Sequence, residues 1–192
     1  MADPKTALQA RYALRAGARS GGFALRLATV EDLPEVHRMI RALARFERLE
    51  HLCVASAADL EAALFGPRPF AEVLLAEKMG EIAGFALFFH NFSTFLGRPG
   101  LWLEDLFVDP AHRRQGCGKA LLRTLADLAR TRGCGRFEWS VLDWNEAAIS
   151  FYESLGATVL PDWRIVRVVG PALDALAEPE RVDAGGQAGD DG

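Results

Sequence analysis

The stretch Leu101-Trp-Leu-Glu-Asp-Leu-Phe-Val108, which continues as Asp109-Pro-Ala-His-Arg-Arg-Gln-Gly-Cys-Gly-Lys119, decides the fold. Period-2 alternation up to Val108 predicts a half-buried strand, and leucines at i, i+4 and i+7 from position 121 predict a helix. Arg113-x-x-Gly116-x-Gly118 therefore lies where a strand gives way to a helix. Two glycines there let several backbone N–H groups converge on an anion at the positive end of the helix dipole. The pattern predicts a pyrophosphate-binding loop.

Two other phosphate loops fit this stretch poorly. A dinucleotide-binding loop has a third glycine three residues after the second, and Leu121 occupies that position. A P-loop follows Gly-Lys with Ser or Thr, whereas Ala120 follows Lys119 here. A short Gly-x-Gly alone is weak evidence, since glycine also serves tight turns and close helix packing.

The remaining pattern resembles the signature of the GCN5-related N-acetyltransferase superfamily, Arg/Gln-x-x-Gly-x-Gly/Ala, whose loop holds the pyrophosphate of acetyl coenzyme A. The resemblance is closest to the spermidine/spermine (diamine) and thialysine N-acetyltransferase branch. The segments that carry it are Ala44-Arg-Phe-Glu47, Leu103-Glu-Asp-Leu-Phe-Val108, Trp144-Asn-Glu146 and Phe151-Tyr152. It implies an α/β fold with a mixed, splayed central sheet flanked by helices, acetyl coenzyme A as co-substrate, and a homodimer.

Composition divides the chain into three parts. With 192 residues, half of them apolar, the chain suits one α/β domain. We expect an N-acetyltransferase domain over 23–177, between a flexible extension, 1–22, and a disordered acidic tail, 178–192. The extension is basic and alanine-rich, which fits a transit peptide, an upstream start codon or a loose extension. The chain has no apolar run of about 18 residues, so we expect no membrane partner. Its net charge of −4 argues against a nucleic-acid partner and agrees with a cationic substrate.

Cysteine and histidine usage predicts a cytoplasmic protein without a metal. The three cysteines are odd in number and widely spaced, which favours reduced thiols over a disulfide framework. The four histidines have no ligand spacing. Cys117 is either a reactive thiol near a helix N-terminus or the small residue between two glycines.

The predicted element order is β-α-α-β-β-β-α-β-α-β. Capping signals at Thr29 or Asp32 and at Ser56 begin two helices, and a hairpin turns at Lys78-Met-Gly80. A last strand is expected over Trp163–Val169.

Acetyl transfer to an amine needs a base, because an alkylamine with a pKa of about 10.4 is protonated at neutral pH. Glu104 is the candidate, directly or through water, since alternation puts it on one strand face with Trp102. Its alternative role is to hold the substrate ammonium. The same alternation puts Asp105 on the opposite face, as a structural or interface residue.

The resemblance implies the other site residues. Tyr152 matches the general acid that protonates the leaving thiolate, although a tyrosine on an apolar helix face also suits a core position. Asn145 is either a pantetheine or phosphate contact or a helix cap. Backbone N–H groups of Leu106, Phe107 and Val108 are candidate donors to the thioester oxygen. The pyrophosphate loop comprises Arg113, Arg114, Gln115, Gly116, Cys117, Gly118 and Lys119.

Substrate-binding positions implied by the same resemblance are Phe46, Glu47, Glu138, Trp139 and Ser140, and the shared strand face adds Trp102 and Glu104 to the candidates. The polyamine enzymes carry an acidic pair before the final Trp-Arg, whereas this chain has only Pro161-Asp162 before Trp163-Arg164. That difference disfavours long polyamines and leaves short diamines or lysine-like amines.

The sequence thus predicts an N-acetyltransferase that moves acetyl from acetyl coenzyme A to a primary amine of a small cationic molecule, by direct attack. Two alternatives stay open. One is acetylation of a protein lysine or N-terminus, and the other is a catalytically silent coenzyme A-binding sensor or structural dimer.

Overall fold

A computed structural model describes residues 19–178. Positions 1–18 of the predicted extension and 179–192 of the predicted tail lie outside the described residues. The chain divides after Leu142 into two compact units, each considered separately below. The domain limits at 23 and 177 remain predictions.

The first unit is built on one six-stranded mixed sheet in chain order. Its strands are β1 (Arg19–Ser20), β2 (Phe23–Leu27), β3 (Glu72–Lys78), β4 (Glu81–Ser93), β5 (Arg98–Val108) and β6 (Arg136–Trp139). Its helices are α1 (Leu33–Phe46), α2 (Ala57–Phe65) and α3 (Cys117–Thr131). Neighbouring strands are antiparallel from β1 to β5, and β6 runs parallel to β5. A mixed sheet flanked by helices is therefore confirmed.

Each face of this sheet is covered by helices. On one face, Val36 and Met39 of α1 pack in a cluster with Phe85 and Phe107. On the other face lies α3, whose Leu121 and Leu125 are fully buried, as the i, i+4 pattern predicted. Burial of each such side chain contributes about 1.5–3 kcal/mol.

Polar contacts fix where the helices begin and end. Arg26 donates to both carboxylate oxygens of Asp32, at 2.6 and 2.8 Å, and this hydrogen bonding lowers the Asp32 pKa to about 2. Thr29 N–H donates to the same carboxylate at 2.8 Å, which confirms the predicted helix start. At the end of α3, Arg132 is 7% exposed and donates two hydrogen bonds to the Glu72 carboxylate of β3.

The β3–β4 hairpin turns where the sequence predicted. Met79 has φ 54° and Gly80 has φ 84°, so both central residues adopt the left-handed conformation that a two-residue type I′ turn requires. The turn leaves Lys78 directly opposite Glu81.

The second unit holds two helices in its described residues, 143–178. These are α4 (Glu146–Ser154) and α5 (Pro171–Ala177). The predicted strand over Trp163–Val169 is wrong, because this segment has no strand pairing within the described part of the chain. Its apolar side chains are exposed, Trp163 by 76% and Val166 by 88%. Alternation supplies the tendency for a strand, but a strand forms only when its N–H and C=O groups have a partner.

Candidate active site

The site lies where β5 parts from β6. Strand β5 pairs with β4 as far as Val108, but β6 accompanies it only from Gly100 to Leu103. Beyond Leu103, this edge of β5 has no strand beside it among residues 19–178. The backbone of Glu104–Val108 is therefore available on that edge, as the predicted donors to a thioester oxygen require.

A bulge interrupts β5 at this point. Leu103 lies opposite Phe88 and Asp105 lies opposite Leu87, so Glu104 is an extra residue without a partner on β4. Such a bulge shifts the in–out alternation of every residue that follows it.

The bulge brings both acids to one face. Trp102 is opposite Phe89 and Asp105 is opposite Leu87. Because Leu87 and Phe89 are two residues apart on a regular strand, they share a face with each other and with their partners. Glu104 joins them, since Trp102 Nε1 donates to Glu104 Oε2 at 2.8 Å. The prediction that the two acids point opposite ways is therefore wrong.

Three carboxylates interact on this face, and we refer to Glu47, Glu104 and Asp105 as the acidic face. Burial raises the pKa of Asp105 to about 6, with further contributions from the charges of Glu104 and Glu47. Burial also raises the pKa of Glu47, which caps the C-terminus of α1. The attraction of a bound ammonium would offset both the desolvation cost and the like-charge repulsion. Sequence reasoning missed Asp105, because the bulge leaves no signal in the sequence.

The predicted pyrophosphate loop forms a left-handed turn into α3. Arg114 has φ 59° and Gly116, the N-cap residue, has φ 88°. The first helical hydrogen bond runs from Ala120 N–H to Gly116 O at 2.9 Å. The N–H groups of Cys117, Gly118 and Lys119 therefore precede the intrahelical ladder, and no acidic residue lies in the first turn. This is the arrangement in which helix N-termini bind phosphate.

Arg113 connects the loop to the end of α1. Its Nε donates to Val108 O at 3.1 Å, and its guanidinium lies 5.3 Å from the Phe46 ring centroid and 5.8 Å from that of Phe107. Two predicted site residues, Arg113 and Phe46, are thus in contact. A residue predicted to bind the coenzyme therefore adjoins one predicted to bind the substrate.

Cys117 is buried, and burial raises the pKa of its thiol to about 12. A Cβ built on Gly84 would lie 3.3 Å from its Sγ, so the thiol packs against β4. Of the two roles predicted for Cys117, the structure favours that of a small packing residue between two glycines over that of a reactive thiol.

The predicted substrate positions on β6 separate. Glu138 lies opposite Trp102, on the face of Glu104, while Trp139 lies opposite Leu103, on the other face. Glu138 Oε2 is 2.7 Å from Arg136 Nε and accepts from Asn91 Nδ2 at 3.3 Å, so its charge is balanced within the protein. Ser140 follows the end of β6 and is exposed.

Asn145 and Tyr152 belong to the second unit. The Asn145 side chain accepts from Ala148 N–H at 3.2 Å, which shows the helix-cap role. Tyr152 is half-buried on α4, with its ring centroid 5.5 Å from that of Phe151. Their roles toward the coenzyme and the thiolate remain predictions.

The described residues give two further observations. Within 19–178, no three His, Cys, Asp or Glu side chains gather as a metal site needs. Over the same range, every helix is too short or too polar to span a bilayer.

Comparison with known proteins agrees with this geometry. A model of the acetyltransferase (GNAT) family matches residues 35–157. The chain belongs to the GNAT acetyltransferase family. It is an acetyl-CoA-dependent acyltransferase, as the sequence predicted.

Named relatives confirm the suspected branch. The chain is 38% identical over 164 residues to the thialysine N-epsilon-acetyltransferase of Mus musculus, covering 80% of this chain and 96% of that protein. It is 36% identical over 197 residues to the L-ornithine N5-acetyltransferase of Arabidopsis thaliana, covering 79% and 86%. Among solved structures, an integron cassette protein from V. cholerae superimposes with a TM-score of 0.70 at 25% identity, over 82% of this chain and 99% of that one.

Proposed function

We propose that this GNAT protein transfers acetyl from acetyl coenzyme A to a primary amine of a small cationic molecule, either a short diamine or a lysine-like amine. The observation that carries the proposal is the bulge at Glu104, which gathers Glu104 and Asp105 on the face of Trp102. Relatives named for acetylation at N5 of ornithine and at the ε-nitrogen of thialysine support a side-chain amine as acceptor.

The acidic face supplies what such an acceptor needs. Glu104 accepts a proton from the ammonium, directly or through water, so that nitrogen gains a lone pair. Asp105 and Glu47 hold positive charge elsewhere on the acceptor. The pKa values of both carboxyls are raised by burial, so the protein alone disfavours their ionisation, and a cationic ligand counteracts that effect.

The transfer proceeds by direct attack. The amine nitrogen bonds to the thioester carbon, N–H groups of Leu106–Val108 stabilise the oxyanion, and the C–S bond then breaks. Tyr152 gives its proton to the departing thiolate. Nitrogen loses two protons in all: Glu104 receives the first before attack, and the second, released as the amide forms, passes through water to the Tyr152 phenolate. An acyl-enzyme on Cys117 is disfavoured, because that thiol is buried and its pKa is raised to about 12.

The remaining site assignments follow the same proposal. Arg113 to Lys119 and Asn145 bind the coenzyme, while Phe46, Trp102 and the β6 segment from Glu138 to Ser140 line the acceptor site. Because Glu138 is neutralised by Arg136, it contributes shape more than charge.

We also propose a cytoplasmic homodimer. The segment from Trp163 to Val169 is rich in apolar side chains that the described chain leaves exposed. Its alternation suits a strand that lacks only a partner, and a second copy supplies one. The free thiols of Cys53, Cys117 and Cys134 support a reducing compartment.

An amine panel tests the activity, with release of free thiol from acetyl coenzyme A as the signal. Short diamines, ornithine and thialysine should turn over faster than peptides bearing one lysine. Turnover of peptides alone would replace the proposal with protein acetylation. Binding of coenzyme A without turnover of any amine would favour the silent sensor.

A further inference from the structure

One cation beside the pyrophosphate loop comes from outside the GNAT motif. Lys78, the last residue of β3, donates from Nζ to Gln115 Oε1 at 2.7 Å. Gln115 is in turn held by a hydrogen bond from its Nε2 to Ala111 O, at 2.9 Å. A strand end that is distant in sequence is thus joined to the middle of the loop.

Packing fixes the position of this lysine. Its Nζ lies 5.4 Å from the ring centroid of Phe23, a fully buried residue of β2. The type I′ turn that follows sets where β3 ends. The β1–β2 turn also borders the loop, since a Cβ built on Gly21 would lie 3.9 Å from Gly116 O.

The Lys78 charge is not neutralised within the described residues. The carboxylate before it, Glu77, pairs with Arg26 at 2.7 Å. The carboxylate opposite it, Glu81, is 79% exposed, with an oxygen 3.9 Å from His112 Nε2. No ion pair of Lys78 occurs over 19–178, and its hydrogen-bond partner is a neutral amide. An unpaired ammonium beside converging N–H groups adds to an anion site.

We propose that Lys78 binds a phosphate of the coenzyme, with Gln115 holding its ammonium at the loop until the coenzyme arrives. Coenzyme A offers two such groups, the pyrophosphate and the 3′-phosphate of its adenosine. The inference rests on the proposed use of acetyl coenzyme A and adds a binding residue that lies outside the Arg-x-x-Gly-x-Gly motif.

The test is calorimetric binding of coenzyme A and of 3′-dephospho-coenzyme A at low ionic strength, where exposed charges are least screened. Lys78→Met keeps the apolar stem over Phe23 and removes the charge, whereas Lys78→Arg keeps the charge. Arg130→Gln is the matched control. It removes one positive charge near the far end of α3, about 20 Å along the helix from Gly116 at 1.5 Å per residue.

We expect Lys78→Met to raise the Kd for coenzyme A about fivefold, within the range of partly exposed charge pairs. Lys78→Arg should stay within about twofold of wild type. An equal loss for both ligands assigns the contact to the pyrophosphate, and a loss for coenzyme A alone assigns it to the 3′-phosphate.

Two results overturn the proposal. One is a folded Lys78→Met protein that binds both ligands as wild type does. The other is a loss in Arg130→Gln as large as in Lys78→Met, since the effect would then be general charge and not contact. Wild-type protein that fails to bind coenzyme A would instead refute the proposed cofactor, which is a separate outcome.

Discussion

Replacing Asp105 with Asn should stabilise the protein, measured without added ligand, at neutral pH. Burial and the charges of Glu104 and Glu47 raise the Asp105 pKa from 3.8 to about 6. Because each pH unit corresponds to about 1.4 kcal/mol, ionising this carboxyl in the folded protein costs up to about 3 kcal/mol. Solvent relaxation reduces that figure, so we expect a gain of about 1–2 kcal/mol for Asp105→Asn at pH 8.

The sign follows from linkage. A carboxyl whose folded pKa is raised contributes stability that is fully present below pH 3.8 and is lost as pH rises through about 6. The advantage of Asp105→Asn should therefore be absent near pH 4, grow between pH 4 and 6, and level off above pH 6.

Urea denaturation at pH 4, 5, 6 and 8 measures this profile, with Asp143→Asn as a control that removes an exposed acid. Asp105→Asn should also weaken binding of a diamine at pH 8 by about tenfold, because it removes a carboxylate that pairs with the ligand. If Asp105→Asn is less stable than wild type at pH 8, or if its gain in unfolding free energy does not change with pH, Asp105 is not a buried carboxyl repelled by neighbouring charges.

Gly116→Val should weaken acetyl coenzyme A binding at least about tenfold in calorimetry, because a β-branched residue at φ 88° must distort the loop. The control is Gly133→Val, a glycine at φ 73° with equally open space around it. Equal binding by both variants would contradict the loop assignment. Tyr152→Phe should lower kcat about 10²- to 10⁴-fold with little change in substrate binding, and wild-type turnover would exclude the acid role. Glu104→Gln should lower kcat/KM most near neutral pH and recover partly in alkali, where the free amine loses its own proton; a pH–rate profile without recovery favours anchoring over base catalysis. Glu72→Gln should destabilise the fold by about 3 kcal/mol in urea denaturation, because it replaces the carboxylate that pairs with the buried guanidinium of Arg132 by a neutral amide. A loss below about 1 kcal/mol would contradict that pairing.

Local patterns predicted the parts of this fold that local physics controls. Leu121 and Leu125 recur at helical spacing and both are buried. The glycines at 116 and 118 marked the strand-to-helix junction, and Met79-Gly80 forms the predicted turn. In each case a few neighbouring residues determine the backbone conformation, so the sequence alone carries the information.

Such local patterns did not predict how the strands pair with one another. The face of Asp105 depends on how β5 registers with β4, and one unpaired residue reverses it. For the segment beginning at Trp163, alternation was real but the partner strand is missing from the described chain. Both failures concern long-range hydrogen bonding, which residue order along one segment does not encode.

The bulge at Glu104 also marks a point at which β5 can lose a residue without changing its register. Leu103 and Asp105 lie opposite consecutive residues of β4, Phe88 and Leu87, so deleting Glu104 would restore continuous pairing and leave the flanking side chains on their present faces. Phe107 would stay opposite Phe85 in the cluster beneath α1, and the strand would still deliver the chain to the Arg113 end of the loop. An alignment gap at position 104 in a homologous protein therefore predicts loss of the candidate base from an otherwise unchanged strand, even where every flanking residue is identical.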